Sequence, residues 1–441
     1  MSEIPFDNLD GTPEIPIVKK SLKRQKEDEG YFVGKRGYTN SILNVVKVIT
    51  IDDDILKDLW RWNELIGDIE YAKLPPWNKR IQIGKTVDDG DIIFLTGWLA
   101  KEHHFEPPEK IVRAGLFLVA QNKYYHPIKE YLESLKWDGT PRLDKWMAKV
   151  LSIKNDQYYT LVGRKFICSM VHRIYRPGAQ MDYMIIFEGR EGIFKTTMLK
   201  ILGGQWYAPF TGITHANFEK DAVDIMRGKW LMELAELTAV RRIEDFNRIK
   251  AFISCTEDRV RLSYRRDAQD FKRQCVLIGT MNPTGDNQYF RDPGENRRFW
   301  PVECGKHIDI DWIKENRDNL FAEAMQVWEK ENLFLDNEDA LKIAIEKQED
   351  RKPNDVWVDI IDEWLKGKDI VSTKEIATDC LGIAKDKITL SNTTRIGQAM
   401  RHLQWGIKQR GKEKKKYYIR PGTDINKVNE TTELWNEEEN K

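Results

Sequence analysis

Cysteine is scarce and scattered in this 441-residue chain. Cys168, Cys255, Cys275, Cys304 and Cys380 form no C-x-x-C pair and no zinc-type spacing, which argues against a disulfide framework or structural metal and suits a reducing cytoplasm. A long apolar run is missing as well. None approaches the ~18 residues that a membrane helix needs, and no secretory signal pattern is visible. The expectation is a soluble, cytoplasmic protein with no membrane partner. Net charge is absent too, with 71 Lys+Arg against 71 Asp+Glu, so bulk charge neither requires nor excludes nucleic acid and local clusters must decide. No internal repeat is evident. What is present, 41% hydrophobic and 32% charged residues, suits packed and well-solvated domains, two or three at this length.

One stretch carries more chemistry than the rest. The apolar run from Met184 to Phe187 stops at a turn containing Gly189, Glu191, Gly192, Ile193 and Phe194, and Lys195, Thr196 and Thr197 then open a helical pattern. Strand, glycine turn, Lys-Thr, helix presents backbone N–H groups and one ammonium to a nucleotide's phosphates. Lys195 is expected to meet the β/γ-phosphates and the Thr196 hydroxyl to hold Mg²⁺. The spacing departs from G-x-x-x-x-G-K-[ST] at one place, because Phe194 occupies the position of the second glycine. Backbone N–H groups survive that change, but a non-glycine residue tolerates fewer backbone angles there.

A phosphate loop alone does not hydrolyse. An acid, a polar residue near the γ-phosphate and positive charge for the transition state are also needed. Glu236 ends the apolar strand around Trp230-Leu-Met-Glu-Leu-Ala, where a magnesium-orienting acid belongs, and Glu233 lies three residues before it, sharing or competing for the role. Asn282 ends the next buried strand, Cys275 to Pro283, in a place suited to a water-sensing amide; a turn-forming Asn before proline explains it equally. Arg297 and Arg298 follow in a loop that enters another apolar strand, suiting an arginine finger presented to a neighbouring subunit.

The alternation of strand and helix signals from 184 onward predicts an α/β nucleotide fold. Residues 1–45 read as a disordered basic arm, with Lys19, Lys20, Lys23, Arg24 and Lys26, and 46–145 as a helical domain in which a helix runs through Ile55, Leu59, Trp60 and Ile66. Leading helices occupy 146–178, and the core extends to 335. In 352–421, Val356, Trp357, Ile360, Ile361, Trp364 and Leu365 form one helical stripe, Ser372 to Glu375 is a capping box, and Asn392 is expected to cap a third helix. A basic hairpin follows between 406 and 420, with seven Lys/Arg against one Glu. Three helices and a hairpin make a winged helix, whose third helix can enter a major groove. Arg395, Arg401, Lys412, Lys414, Lys415 and Lys416 are its candidate DNA contacts, although winged helices also bind proteins. The segment 422–441 reads as an acidic disordered tail.

Several motifs in order, Tyr131 to Arg142, Arg176-Pro-Gly178, Trp230 to Leu237, Lys250 to Ser254 and Asn296 to Pro301, resemble the virulence-associated protein E family, P-loop proteins of phages and pathogenicity islands similar to superfamily 3 helicases. The resemblance implies an AAA+-like P-loop NTPase core between the helical N-terminal domain and the winged helix, assembled as a homo-oligomer, a hexamer. It implies ATP and Mg²⁺ as ligands of Lys195 and Thr196, Glu236 with Glu233 as acids (Thr196 and Glu236 meeting the metal), Asn282 as sensor and Arg297 or Arg298 as finger. The basic hairpin around 259–266 would then line the pore, with Arg261, Arg265 and Arg266 on phosphates of single-stranded DNA and Tyr264 stacked on a base; a hairpin paired with Asp258 and Asp267 is the other reading. The implied function is an ATP-dependent DNA helicase or replication initiator for a phage or mobile element. A 3′→5′ direction is implied only by superfamily 3. No primase acids stand out, so a separate primase or polymerase is the expected partner. The alternative is a DNA-binding initiator or regulator with a degenerate, non-hydrolysing P-loop; a small-molecule P-loop kinase is disfavoured because no acceptor lid is apparent.

Overall fold

The computed structural model describes residues 30–34, 37–78, 80–235, 237, 240, 242–260, 269–282, 296–352, 355–410 and 415–423. Their contacts divide the chain into two compact units, the first within Met1–Val240, Asn247–Asn282 and Arg298–Lys342, the second within Arg241–Phe246, Pro283–Arg297 and Ile343–Lys441.

The first unit opens with a small core of Val45, Val48, Leu59, Trp60, Tyr71, Leu95, Leu99 and Leu116, all buried. Helices Ile42–Lys47, Asp89–His103 and Glu109–Gln121 surround it. The sequence predicted helix alone here. Trp60–Asn63 instead pairs antiparallel with Asp68–Tyr71 and parallel with Tyr124–Tyr125. The physical reason is local: Asp53 Oδ1 accepts from the N–H groups of Ile55 and Leu56, Asp58 turns left-handed at φ 61°, and the chain emerges extended. The same Asp53 takes Trp98 Nε1 and His103 Nε2 on Oδ2, each at 2.8 Å, so His103 is a structural bridge, while His104 closes its helix at φ 50°. Of the arm predicted over 1–45, residues 1–29 lie outside the described residues. Tyr31, by contrast, is buried, and short strands at Val33–Gly34 and Gly37–Tyr38 pair.

The rest of the unit is a parallel sheet with helices. In chain order these are α1 (Gln157–Tyr175), β1 (Met184–Glu188), α2 (Lys195–Gly203), β2 (Tyr207–Phe210), α3 (Phe218–Met226), β3 (Leu231–Leu234), β4 (Val276–Met281), β5 (Phe299–Glu303) and α4 (Ile310–Val327). The strand order is β5-β1-β4-β3-β2 and every pairing is parallel. All residues of β1, β3 and β4 are buried, which is why these strands read as largely apolar runs, with Glu233 the one charged residue inside β3. The Trp137 to Arg142 turn is locked by Arg142 on both Asp138 oxygens at 2.7 Å. Glu323 of α4 accepts the N–H groups of Arg142 and Leu143. Between β3 and β4 lie a helix, Ile243–Ser254, and an antiparallel pair, Glu257–Val260 with Gln269–Lys272.

In the second unit, α5 (Val356–Trp364), β6 (Ile370–Ser372), a short turn of helix at Thr373–Glu375, α6 (Leu390–His402), β7 (Gly406–Arg410) and β8 (Lys415–Ile419) enclose a core of Ile361, Leu365, Val371, Ile376, Ile396, Met400 and Tyr418. The sheet order is β6-β8-β7, antiparallel. The Ser372–Glu375 capping box is formed. Two readings need correction. The cap of α6 is Thr389, whose Oγ1 accepts from Asn392 N at 3.2 Å; Asn392 already lies inside the first turn. The α5 stripe also divides, with Ile361 buried while Val356 and Ile360 are exposed. No described helix is long and apolar enough to cross a membrane.

Candidate functional site

The carboxyl ends of β1, β3 and β4 lie side by side because β4 is inserted between the other two. The loop leaving β1 needs Gly189: a Cβ there would come within 2.5 Å of Ile193 Cδ1 and 3.1 Å of Cys304 Cβ. Gly192 turns at φ 80° and Phe194, at the second-glycine position, at φ 73° and ψ 26°. Left-handed geometry costs a non-glycine residue about 1–2 kcal/mol. The Phe194 ring is half exposed and meets His307 edge-on, with centroids 6.1 Å apart.

Lys195 begins α2 and is nearly buried. Its Nζ donates to Gly189 O at 2.7 Å, Arg190 O at 2.9 Å and Asn282 Oδ1 at 2.8 Å. Burial draws its pKa below the ordinary lysine value, against the opposing pull of Cys304, Glu233 and Glu191. Beside it, Thr196 Oγ1 donates to Glu233 Oε1 at 2.8 Å. Glu233 is 1% exposed and also accepts Thr280 Oγ1 at 2.5 Å and Tyr207 OH. These groups line a cleft of about 360 Å³ formed by residues 191–197 with Glu233, Ala235, Thr280, Met281 and Asn282. Chemically, it offers one ammonium, a hydroxyl beside a buried carboxylate, and a run of backbone amides at a helix start, a set matched to a polyanion carrying a divalent cation.

Four sequence-predicted residues thus converge: Lys195, Thr196, Glu233 and Asn282. Glu236, the favoured acid, lies outside the described residues, and Glu233 is the carboxylate that meets Thr196. Arg297 is exposed. Arg298 is half-buried; its Nε donates to Ser254 Oγ at 2.9 Å and its carbonyl accepts from Met184 N. Arg261, Tyr264, Arg265, Arg266, Lys412 and Lys414 lie outside the described residues, as do the side chains of Lys415 and Lys416. At the hairpin base Asp258 is taken by Arg273, at 2.6 Å for both contacts. Arg401 is exposed. Arg395 was expected to face DNA; its guanidinium forks onto Asp355 at 2.8 and 2.6 Å and lies 4.0 Å over the Trp357 ring. Sequence reasoning missed Tyr207 and Thr280. A hydroxyl two residues before Asn282, in an otherwise apolar strand, is the only signal that Thr280 gave.

Residues 132–353 match the virulence-associated protein E-like domain. No curated protein matches the chain. Among solved structures, apo forms of the NrS-1 C-terminal region align at 15% identity over 82% of this chain and 96% of that one, TM-score 0.43. A second aligns at 12% over 87% and 100%, TM-score 0.47, and a third at 14% over 82% and 95%, TM-score 0.46.

Proposed function

This chain belongs to the virulence-associated protein E-like family, and on that premise we propose that it is an ATP-dependent DNA helicase or replication initiator serving a phage or mobile genetic element. The observation that carries the reading is the convergence of Lys195, Asn282, Thr196 and Glu233 on one cleft, at the carboxyl ends of the strands, where open α/β folds hold ligands. The insertion of β4 between the loop strand and the acid strand supports an AAA+-like core, since it sets Asn282 between phosphate loop and carboxylate.

ATP and Mg²⁺ suit the residues present. Glu233 is a buried carboxylate with three hydroxyl donors and, among the described residues, no lysine or arginine bonded to it. When bound, Mg²⁺ would neutralise charge on the phosphate oxygens. Lys195 would exchange the carbonyls of Gly189 and Arg190 and the amide oxygen of Asn282 for phosphate oxygens, which would release Asn282 to orient a water. Glu236 and Glu233 are the proposed acids, and Arg297 or Arg298 the finger offered to the next subunit of a homo-oligomer, a hexamer by the family resemblance. Arg261, Tyr264, Arg265 and Arg266 would hold single-stranded DNA. The second unit would act as a winged helix on duplex through Arg395, Arg401, Lys412, Lys414, Lys415 and Lys416, and primer synthesis would fall to a separate primase or polymerase.

The test is a DNA-stimulated ATPase assay on the full chain with its native mass, beside Lys195→Ala. Hydrolysis by that variant at the parent rate overturns the reading. A second reading, a DNA-binding initiator or regulator without turnover, is favoured by the left-handed Phe194. Tight duplex binding with no ATP hydrolysis would support it instead.

A further inference from the structure

We propose that Tyr207 and Thr280 are positioning residues for Glu233, holding its carboxylate from both neighbouring strands in the pose that receives a nucleotide-borne divalent cation; this rests on the ATPase reading above. Glu233 lies in β3, with β2 on one side and β4 on the other. Tyr207 opens β2 and Thr280 is the penultimate residue of β4. Thr280 donates to the same oxygen as Thr196, Oε1, and Tyr207 donates to the other, Oε2.

The chemistry of a buried carboxylate explains why this pattern is informative. An ionised carboxylate removed from water is costly unless its lone pairs are met. It has about four acceptor sites, and here three are filled by hydroxyls. A hydroxyl differs from an ammonium in this role: it satisfies the carboxylate without neutralising it. Three hydroxyls on two carboxylate oxygens leave one acceptor position for a cation. Thr196 can donate its hydrogen bond to Glu233 and still offer an oxygen lone pair. Tyr207 and Thr280 come from strands outside the phosphate loop, so the loop can move while the carboxylate stays fixed.

The experiment uses the full-length protein. Mn²⁺ binding in the presence of ATP is followed by electron paramagnetic resonance, and ATP binding in EDTA is measured separately. Tyr207→Phe and Thr280→Val each remove one hydrogen bond to a charged acceptor. Each is expected to weaken Mn²⁺ binding roughly tenfold while ATP affinity in EDTA stays at the parent value. Thr280→Ser restores the hydroxyl and should restore the Mn²⁺ curve, which a purely space-filling role for the side chain would not require. Tyr207→Phe keeps the ring and serves where the Val variant fails to fold. Mn²⁺ curves for Tyr207→Phe and Thr280→Val that overlay a parent that does bind overturn this proposal alone. A parent without cation-dependent nucleotide binding overturns both readings.

Discussion

Lys195 and Asn282, 87 positions apart in sequence, share a hydrogen bond of 2.8 Å in which the ammonium donates to the side-chain amide oxygen. The bond ties the start of α2 to the end of β4, so the residue proposed to hold phosphate and the residue proposed to position water are one unit before ligand arrives. Truncating the two should then separate binding from turnover. Lys195→Ala is expected to lower ATPase activity by about 10² or more, the scale of losing one preorganised charge partner, and to weaken ATP binding with it. Asn282→Ala should leave the dissociation constant for ATP close to the parent value while kcat falls about tenfold or more. Steady-state kinetics with parallel binding measurements decides. Equal losses of affinity in the two variants would refute the division of labour.

Phe194 poses a different question, because its backbone is left-handed at φ 73° while its ring touches His307. Phe194→Gly relieves the backbone strain but loses ring contacts and frees the unfolded chain. Phe194→Ala loses the ring and keeps the strain. The glycine variant should therefore be more stable than the alanine variant by about 1 kcal/mol, the reverse of their usual order within a helix. Chemical denaturation of both checks the sign. An alanine variant as stable as the glycine one would mean that the loop relaxes to another conformation.

Much of this site was legible because its chemistry is local. A strand, a glycine turn and Lys-Thr are adjacent in sequence, and the fully buried β1 and β4 announce themselves as apolar runs that end at Glu188 and Asn282. What the sequence concealed depends on packing across strands. Sequence position favours Glu236 as the acid, and only the pleat of β3, which directs Glu233 at Thr196, brings Glu233 forward. Tyr207 joins the site only because β2 lies beside β3. Trp60–Asn63 was misjudged because apolar residues around a capped turn mimic helical spacing. Arg395 was assigned to DNA by its place on α6, and no pattern in the chain reveals that Asp355 faces it.

The Arg395–Asp355 pair makes that last point testable. The two side chains are 45% and 26% exposed, so the ion pair adds at most about 1 kcal/mol, and the Trp357 contact adds about 0.5–1 kcal/mol. Arg395→Ala should thus fold normally. If Arg395 also meets a phosphate in the complex, the variant lowers the slope of log K against log salt by about one. Asp355→Asn retains the acceptor that caps α5 but loosens its hold on the guanidinium, and should strengthen duplex binding at low salt. Fluorescence anisotropy over a salt series measures both. Slopes and affinities identical to the parent in both variants would assign Arg395 to folding alone.

Acid sensitivity follows from two histidines in the first unit. His126 is buried, with Nε2 2.6 Å from Gln274 Oε1, and burial lowers its pKa despite that partner. His172 stands edge-on to Trp328 at 5.5 Å, and burial, then the nearby Arg176 charge, lowers its pKa too. A base whose folded pKa is depressed binds its proton more readily when unfolded. Stability from these sites is therefore complete above the ordinary histidine value of 6.5 and declines as pH falls from there toward the folded values. The parent should lose thermal stability as pH falls from about 6.5 to 5.5, and a His126→Gln/His172→Gln double variant should show a shallower decline over the same range. The comparison removes contributions common to both proteins, such as carboxylates titrating at lower pH. Parallel curves for parent and variant would show that neither histidine is held neutral by the fold.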